Sequence, residues 1–360
     1  MRRPGALLDD PRAGRPTVNG LCLREATPVR AWSRPDRTRR STPAVCRRRS
    51  RSLQRESRPP AAAHNRTSRI GDTWFVPGTS TVVFQGEPGA FSEEAVIRAF
   101  GEAPERTAVP TWRAVFDAVA DGSASAGVVA IESSLAGSIR ETYDLLDEFF
   151  DRGIRIVGEV TVPVRLALLA LPGQALESID RVYSHAQALV QADGFLRSRD
   201  WEILTSYNTA GAARVIAERR EGRAAAIASP RVAELYGLEI LADDIQSGED
   251  NRTRFAILAR EGATPPAMTA PAPDAGRQTT LVFAVRNVPG SLHRCLGAFA
   301  ARGVNLSRLE SRPTRKARWE YVFWVDADAA DPDCAAALDV LRAEAEMVRI
   351  LGSYPRAAED

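Results

Sequence analysis

Thr253 stands between Arg252 and Arg254, where the polar run from Gly248 gives way to the apolar run Phe255-Ala256-Ile257-Leu258-Ala259. An apolar run this short, rich in Phe, Ile and Leu, reads as a buried strand. A hydroxyl flanked by two guanidiniums at such a strand end either closes the strand or delivers functional groups into a cleft. Four further polar patches share one design: residues 86–92, 132–138, 184–187 and 208–210 each follow a strand-like run and precede a helix. Free N–H groups at a helix start favour an anion. Each patch alone is more often an ordinary helix cap. Four together, rich in hydroxyls and without GxGxxG or GxxxxGK[ST], point to a small anionic ligand rather than a nucleotide.

The elements that must hold these patches alternate. Strands are expected at Thr81–Phe84, Gly127–Ile131, in two pieces about Pro163 within 154–171, and at Val182–Tyr183, Ile203–Tyr207 and Ala224–Ala228. Between them lie helices capped by Ser92, Thr111, Ser138 and Ser229, one spanning Ala186–Arg199, and one spanning Thr209–Glu221. Such alternation predicts α/β architecture with mostly parallel sheets. Residues 262–278 form a Pro/Ala linker. Beyond it the pattern is strand Thr280–Arg286, helix Ser291–Arg302, strands Val304–Leu309 and Trp319–Val325, helix Pro332–Met347 and strand Val348–Leu351. That order is βαββαβ, a ferredoxin-like module.

The net charge of +2 conceals an asymmetry. Residues 1–75 hold eighteen arginines against six acidic residues, so the remainder is acidic, which gives no support for nucleic-acid binding as the main task. Lys316 is the single lysine, and the Arg/Ala-rich usage makes arginine counts weak evidence of function. Cys22, Cys46, Cys295 and Cys334, like His64, His185 and His293, are scattered, so neither a disulfide framework nor a metal site is expected. No run of about 18 apolar residues marks a membrane span. Residues 1–78 lack hydrophobic periodicity and are expected to be disordered. They also lack the apolar core of a secretory signal, so a cytoplasmic location is expected. An Arg-rich, acid-poor tail also suits an organelle transit peptide; an over-extended translation start is the favoured explanation.

The segments FQGEPGAFSEEA, GVVAIESSLAGSIRETYDLL, VYSHAQALVQ, AAAIASPRVAELYGL and NRTRF, in this order, resemble the prephenate dehydratase family. The last module, with VPGSL at its first helix and LESRP on its second strand, resembles the regulatory ACT domain of the same enzymes. The resemblance implies a two-lobed, periplasmic-binding-protein-like catalytic domain over 79–261 and an ACT domain over 279–357. It implies conversion of prephenate to phenylpyruvate with loss of CO2 and water, no cofactor, and inhibition by L-phenylalanine bound between paired ACT domains of a homodimer or homotetramer.

On this resemblance the catalytic residues are Thr253, Glu132, Ser184 and Gln191. Thr253 is read as the hydrogen-bond donor to the leaving hydroxyl, with Glu132 orienting it, acting as an acid, or salt-bridged to Arg140 or Arg254. Substrate contacts are expected from Ser92, Ser133, Ser134, Ser138, Thr209, Asn251 and Arg254, although Arg254 can equally point outward to an acidic neighbour. His185 is read as structural. Effector contacts are expected from Asn287, Gly290, Ser291, Leu292, Glu310, Ser311 and Arg312. Ser133 departs from the family, which commonly has Asn there, and exchanges an amide for one hydroxyl. Arogenate dehydratase activity, a non-catalytic phenylalanine sensor and a solute-binding protein are the alternatives.

Overall fold

The computed structural model describes residues 69–70, 73–74, 80–248, 250–269, 275–314 and 321–357. The expectation of a disordered tail otherwise falls outside the described residues, but Arg69–Ile70 and Thr73–Trp74 pair as a short antiparallel ladder. Lys316, Trp319 and part of the linker also lie outside them.

Two α/β lobes carry the first part of the chain. In the first, the sheet order is Glu105–Val109, Thr81–Gln85, Ala126–Ser133, Arg252–Arg260, Ile154–Pro163. In the second it is Glu202–Ser206, Arg181–His185, Ala224–Ala228, Ala167–Ala170, Glu239–Ala242. The expectation of mostly parallel sheets is corrected. Each sheet has two parallel ladders at one side and two antiparallel ones at the other. The antiparallel half arises because the chain crosses between lobes twice. Near Pro163 it leaves the first sheet, and Arg252–Arg260 returns to fill the gap between Ala126–Ser133 and Ile154–Pro163. The two crossing segments hold each other: Val164 N donates to Asn251 O at 2.7 Å, and Ile245 N to Leu166 O at 2.9 Å.

Several helix starts differ from expectation, each for a tertiary reason. Ser92 lies inside helix Phe91–Phe100, which begins after Ala90, and Glu93 instead accepts from Gly89 N at 2.7 Å. Ser138 precedes helix Arg140–Phe149 as part of a two-residue bridge, and Ser229 donates to Gly89 O across the lobes. Thr111 does cap helix Trp112–Asp121, accepting from Ala114 N. The expected helix Ala186–Arg199 is broken at Ala192 into Ala186–Gln191 and Asp193–Leu196.

The C-terminal module is βαββαβ: Arg277–Ala284, Ser291–Ala300, Leu306–Pro313, Tyr321–Ala327, Asp331–Glu344 and Met347–Pro355. Its four-stranded antiparallel sheet covers one helix pair with a core of Leu281, Phe283, Cys295, Phe299, Leu338 and Leu341. Its other face belongs to a different core. Val282, Trp324, Leu351 and Tyr354 join Phe116, Tyr143, Phe149 and Ile156 of the first lobe in one buried cluster. The strands approach so closely that a Cβ on Gly352 would lie 2.0 Å from Ile156 O, which is why this edge position is glycine. Among the described residues no helix is long and apolar enough to cross a membrane.

Candidate active site

Thr253 and Ser133 are direct partners in the antiparallel ladder between Arg252–Arg260 and Ala126–Ser133. Cross-strand partners project to the same sheet face, so both side chains stand on one side of the strand pair. Ser133 is buried, and its Oγ accepts from Ala136 N at 3.2 Å, folding the following turn over the pair. Ser134 is held by the same strand: its Oγ donates to Asp250 O and accepts from Arg252 N, both at 2.9 Å. The other lobe reaches the group through Gln191, whose Nε2 lies 3.5 Å from Asn251 Oδ1. Asn251 is 3 % exposed and its Nδ2 donor has no partner among the described residues, leaving an unused N–H two residues from Thr253. Thr253, Ser133, Ser134, Asn251 and Gln191 therefore form one polar group where the lobes meet.

The remaining candidates are distributed around it. Ser184, fully buried, donates to Ile227 O at 2.6 Å at the carboxyl end of its strand. Thr209 opens helix Thr209–Arg219, which Asn208 caps by accepting from Gly211 N. Ser92 is buried beside Phe91, a ring shared by the cores of both lobes. His185 has a structural role, its Nδ1 accepting from Gln187 N to cap the next helix. Glu87 joins the lobes as well, accepting from Tyr207 Oη at 2.8 Å beside Arg214 at 3.4 Å.

Three expected site residues lie elsewhere. Alternation along the strand sends Arg254 to the face opposite Thr253, where it meets Asp326 of the C-terminal module at 2.7 Å. Glu132, its ladder partner, follows it there and lies 3.3 Å from the guanidinium. Ser138 points at the same module and donates to Glu310. These three side chains thus mark the contact between modules rather than the junction of the lobes. Glu159, whose side chain is 4 % exposed, completes the charge cluster 3.7 Å from Arg254. Burial pushes its carboxyl above the usual range, and the Arg254 charge offsets this only in part. For Arg254 burial opposes the charge, but Asp326 and Glu159 outweigh it and hold the guanidinium protonated. Asp326 and Glu159 have a signal in the sequence: each is a lone acid in an apolar strand, YVFWVDA and IRIVGEVTVP.

The effector candidates also divide. Asn287, Gly290, Ser291, Leu292 and Ser311 line one cavity of about 400 Å³, with Tyr321 and Phe323. Glu310 and Arg312 alternate to the other face. There Glu310 meets Arg308 and Ser138, and Arg312 pairs with Asp144 at 2.9 Å.

Family comparison fits this geometry. Residues 82–263 match the model described as Prephenate dehydratase, and residues 279–333 match the ACT domain. The chain belongs to the prephenate dehydratase family. Among its relatives, Arogenate dehydratase 5, chloroplastic, of Arabidopsis thaliana is 39% identical over 77% of this chain and 68% of its own. The Bifunctional chorismate mutase/prephenate dehydratase of Aquifex aeolicus is 33% identical over 77% and 74%. The prephenate dehydratase of Arthrobacter aurescens in complex with L-Phe superposes with a TM-score of 0.65 at 32% identity, covering 77% of this chain and 90% of that one. A structure described as GqqA, a novel type of quorum quenching acylases, superposes at 0.68 and 36% identity, covering 78% and 98%. The two-lobed α/β catalytic domain and the C-terminal ACT domain are thus those of prephenate dehydratases.

Proposed function

We propose that this chain is a prephenate dehydratase, converting prephenate to phenylpyruvate and inhibited by L-phenylalanine. The observation that carries the reading is the ladder pair Thr253–Ser133 at the meeting of the lobes, with the Asn251 Nδ2 donor, unpartnered among the described residues, beside it. Prephenate loses its ring carboxylate as CO2 while the bonding electrons enter the ring and the ring hydroxyl leaves. Aromatisation drives the reaction, so the protein must orient a dianion and neutralise a departing hydroxide. Thr253 donates a hydrogen bond to that oxygen, the position where a preorganised donor lowers the barrier most. Asn251 Nδ2, Ser133 and the helix starts at Phe91 and Thr209 are donors for the carboxylates, with Ser134 fixing the strand beside them. Ser184 and Gln191 line the opposite lobe.

The regulatory half of the proposal rests on the cavity formed by Asn287, Gly290, Ser291, Leu292 and Ser311, which offers a loop-to-helix corner for the polar end of an amino acid. Phenylalanine bound there inhibits turnover by favouring a less active state. Leu306–Pro313 is an edge strand with Leu309 exposed, which suits side-by-side pairing of ACT domains in a homodimer or homotetramer. A cytoplasmic location is part of the same proposal.

The test is purified protein with prephenate, followed by phenylpyruvate formation with and without phenylalanine. Product formed and suppressed by phenylalanine is the expected result. Absence of product sinks the catalytic reading. Arogenate in a parallel assay decides the substrate, because several relatives bear the name arogenate dehydratase. Phenylalanine binding without turnover of either substrate would leave a sensor.

A further inference from the structure

Arg254 shares a peptide bond with Thr253, yet its guanidinium is fixed by the ACT domain. Its Nη2 donates to Asp326 Oδ2 at 2.7 Å. Asp326 is 1 % exposed, and its other oxygen accepts from Thr280 Oγ1 at 2.7 Å. Thr280 Oγ1 is in turn 2.6 Å from the Tyr354 hydroxyl, which accepts from Gln278 Nε2 at 3.1 Å. Both carboxylate oxygens are therefore fixed, and the chain of bonds spans three strands of the ACT sheet. Asp326 is the nearest of three carboxylates around the half-buried guanidinium, at 2.7 Å against 3.3 Å for Glu132 and 3.7 Å for Glu159, and the one that accepts a hydrogen bond of good length from it. Asp326 thus anchors Arg254 most closely, one residue along the strand from Thr253.

The strand that carries Asp326 has a second connection. In Tyr321–Ala327, Tyr321 and Phe323 line the effector cavity. Trp324 and Asp326 alternate to the opposite face, where the Trp324 ring meets Tyr143 edge-on at 4.8 Å between centroids. One short strand thus touches the effector cavity on one face and the neighbour of Thr253 on the other.

We propose that Asp326 is the positioning residue for Thr253, acting through Arg254, and that strand Tyr321–Ala327 is the element by which the effector cavity alters turnover. This rests on the dehydratase reading of Thr253. The effector shifts the strand, the strand shifts the carboxylate, and Arg254 carries the shift into the catalytic strand. Coupling of this kind requires that the effector bind more tightly to the state in which this ion-pair geometry has shifted.

The test compares full-length wild type, Asp326→Asn and Asp326→Glu. Turnover, phenylalanine inhibition and hydrogen exchange of residues 252–255 are measured on each, with melting temperature as a folding control. Asp326→Asn lowers kcat about 10- to 100-fold, the scale of a misplaced catalytic group, with little change in KM. It also blunts phenylalanine inhibition and loosens exchange protection at 252–255. Asp326→Glu keeps the charge and restores most of kcat. A role in packing alone predicts the reverse order, because Asn is the isosteric replacement and Glu the larger one. Wild-type kcat, inhibition and protection in Asp326→Asn would overturn the proposal while leaving the dehydratase reading intact. If wild type fails to turn over, the functional reading falls, and exchange at 252–255 still decides the positioning: lost in Asp326→Asn, it stands; unchanged, it falls.

Discussion

At the scale of single residues, Thr253 and Arg254 divide the work of one strand. Thr253→Ala is expected to reduce kcat by about 10²–10³, the usual loss of one preorganised donor, while calorimetry finds substrate still bound. Retained turnover would remove Thr253 from its role. Ser133→Asn, which supplies the residue expected from the family resemblance on the same face, should raise activity or leave it unchanged; a large loss would mean that the pocket has been rebuilt around the hydroxyl. Glu159 offers a test by pH. Burial raises its folded-state pKa, so the folded protein binds this proton more tightly than the unfolded chain does. The resulting stability is present below the unfolded value near 4.5 and is lost as pH rises through the raised folded value. Glu159→Gln should therefore flatten the decline in melting temperature over that window. An unchanged slope would assign the pH dependence to other groups. At this scale the sequence offered candidate residues but not their directions. Which of Thr253 and Arg254 faces the junction depends on register against Ala126–Ser133, residues more than a hundred positions away.

At the scale of elements, legibility followed burial. Central strands such as Ala224–Ala228 are wholly apolar and were plain in the sequence. The unpredicted strands longer than two residues, Glu105–Val109 and Glu239–Ala242, are both sheet edges, half wet and weakly patterned. Helix starts were read from hydroxyls. Thr111 behaved as expected, but Ser138 and Ser229 make contacts with distant parts of the chain instead of capping. Thr111→Ala should therefore cost about 1 kcal/mol in denaturant unfolding, the typical value for a lost cap. Gly127 shows the opposite constraint: a Cβ there would lie 2.6 Å from Val115 Cγ1 and 2.9 Å from Val119 Cγ2. Gly127→Ala should destabilise by about 1–3 kcal/mol through overpacking of helix Trp112–Asp121 on its sheet. A smaller loss would mean that the helix can shift without strain.

At the scale of the whole molecule, the sequence divides into catalytic and regulatory parts at the Pro/Ala linker, and the family matches divide in the same place. Packing does not. Trp324, Leu351, Tyr354 and Val282 complete a core that begins in the first lobe, and Arg254 makes its shortest ion pair across the contact, to Asp326. The linker composition was readable, but a hydrophobic face shared between modules has no local signature. A chain ending at residue 263 is expected to bind hydrophobic dyes and aggregate, because it bares an apolar sheet face and leaves Arg254 without Asp326. A soluble, monomeric and active fragment would contradict this.

Gly352 brings the ACT sheet against the backbone of Ile156 at a distance no other residue permits. Its consequence is historical. A sensor joined by a flexible tether can be gained or discarded by a lineage as demand for feedback changes. A sensor whose backbone is seated against its host cannot, because a descendant that lost it would inherit a misfolding protein before it inherited an unregulated one. Selection for a sound fold preserves the ACT domain here even in a cell that has ceased to need feedback.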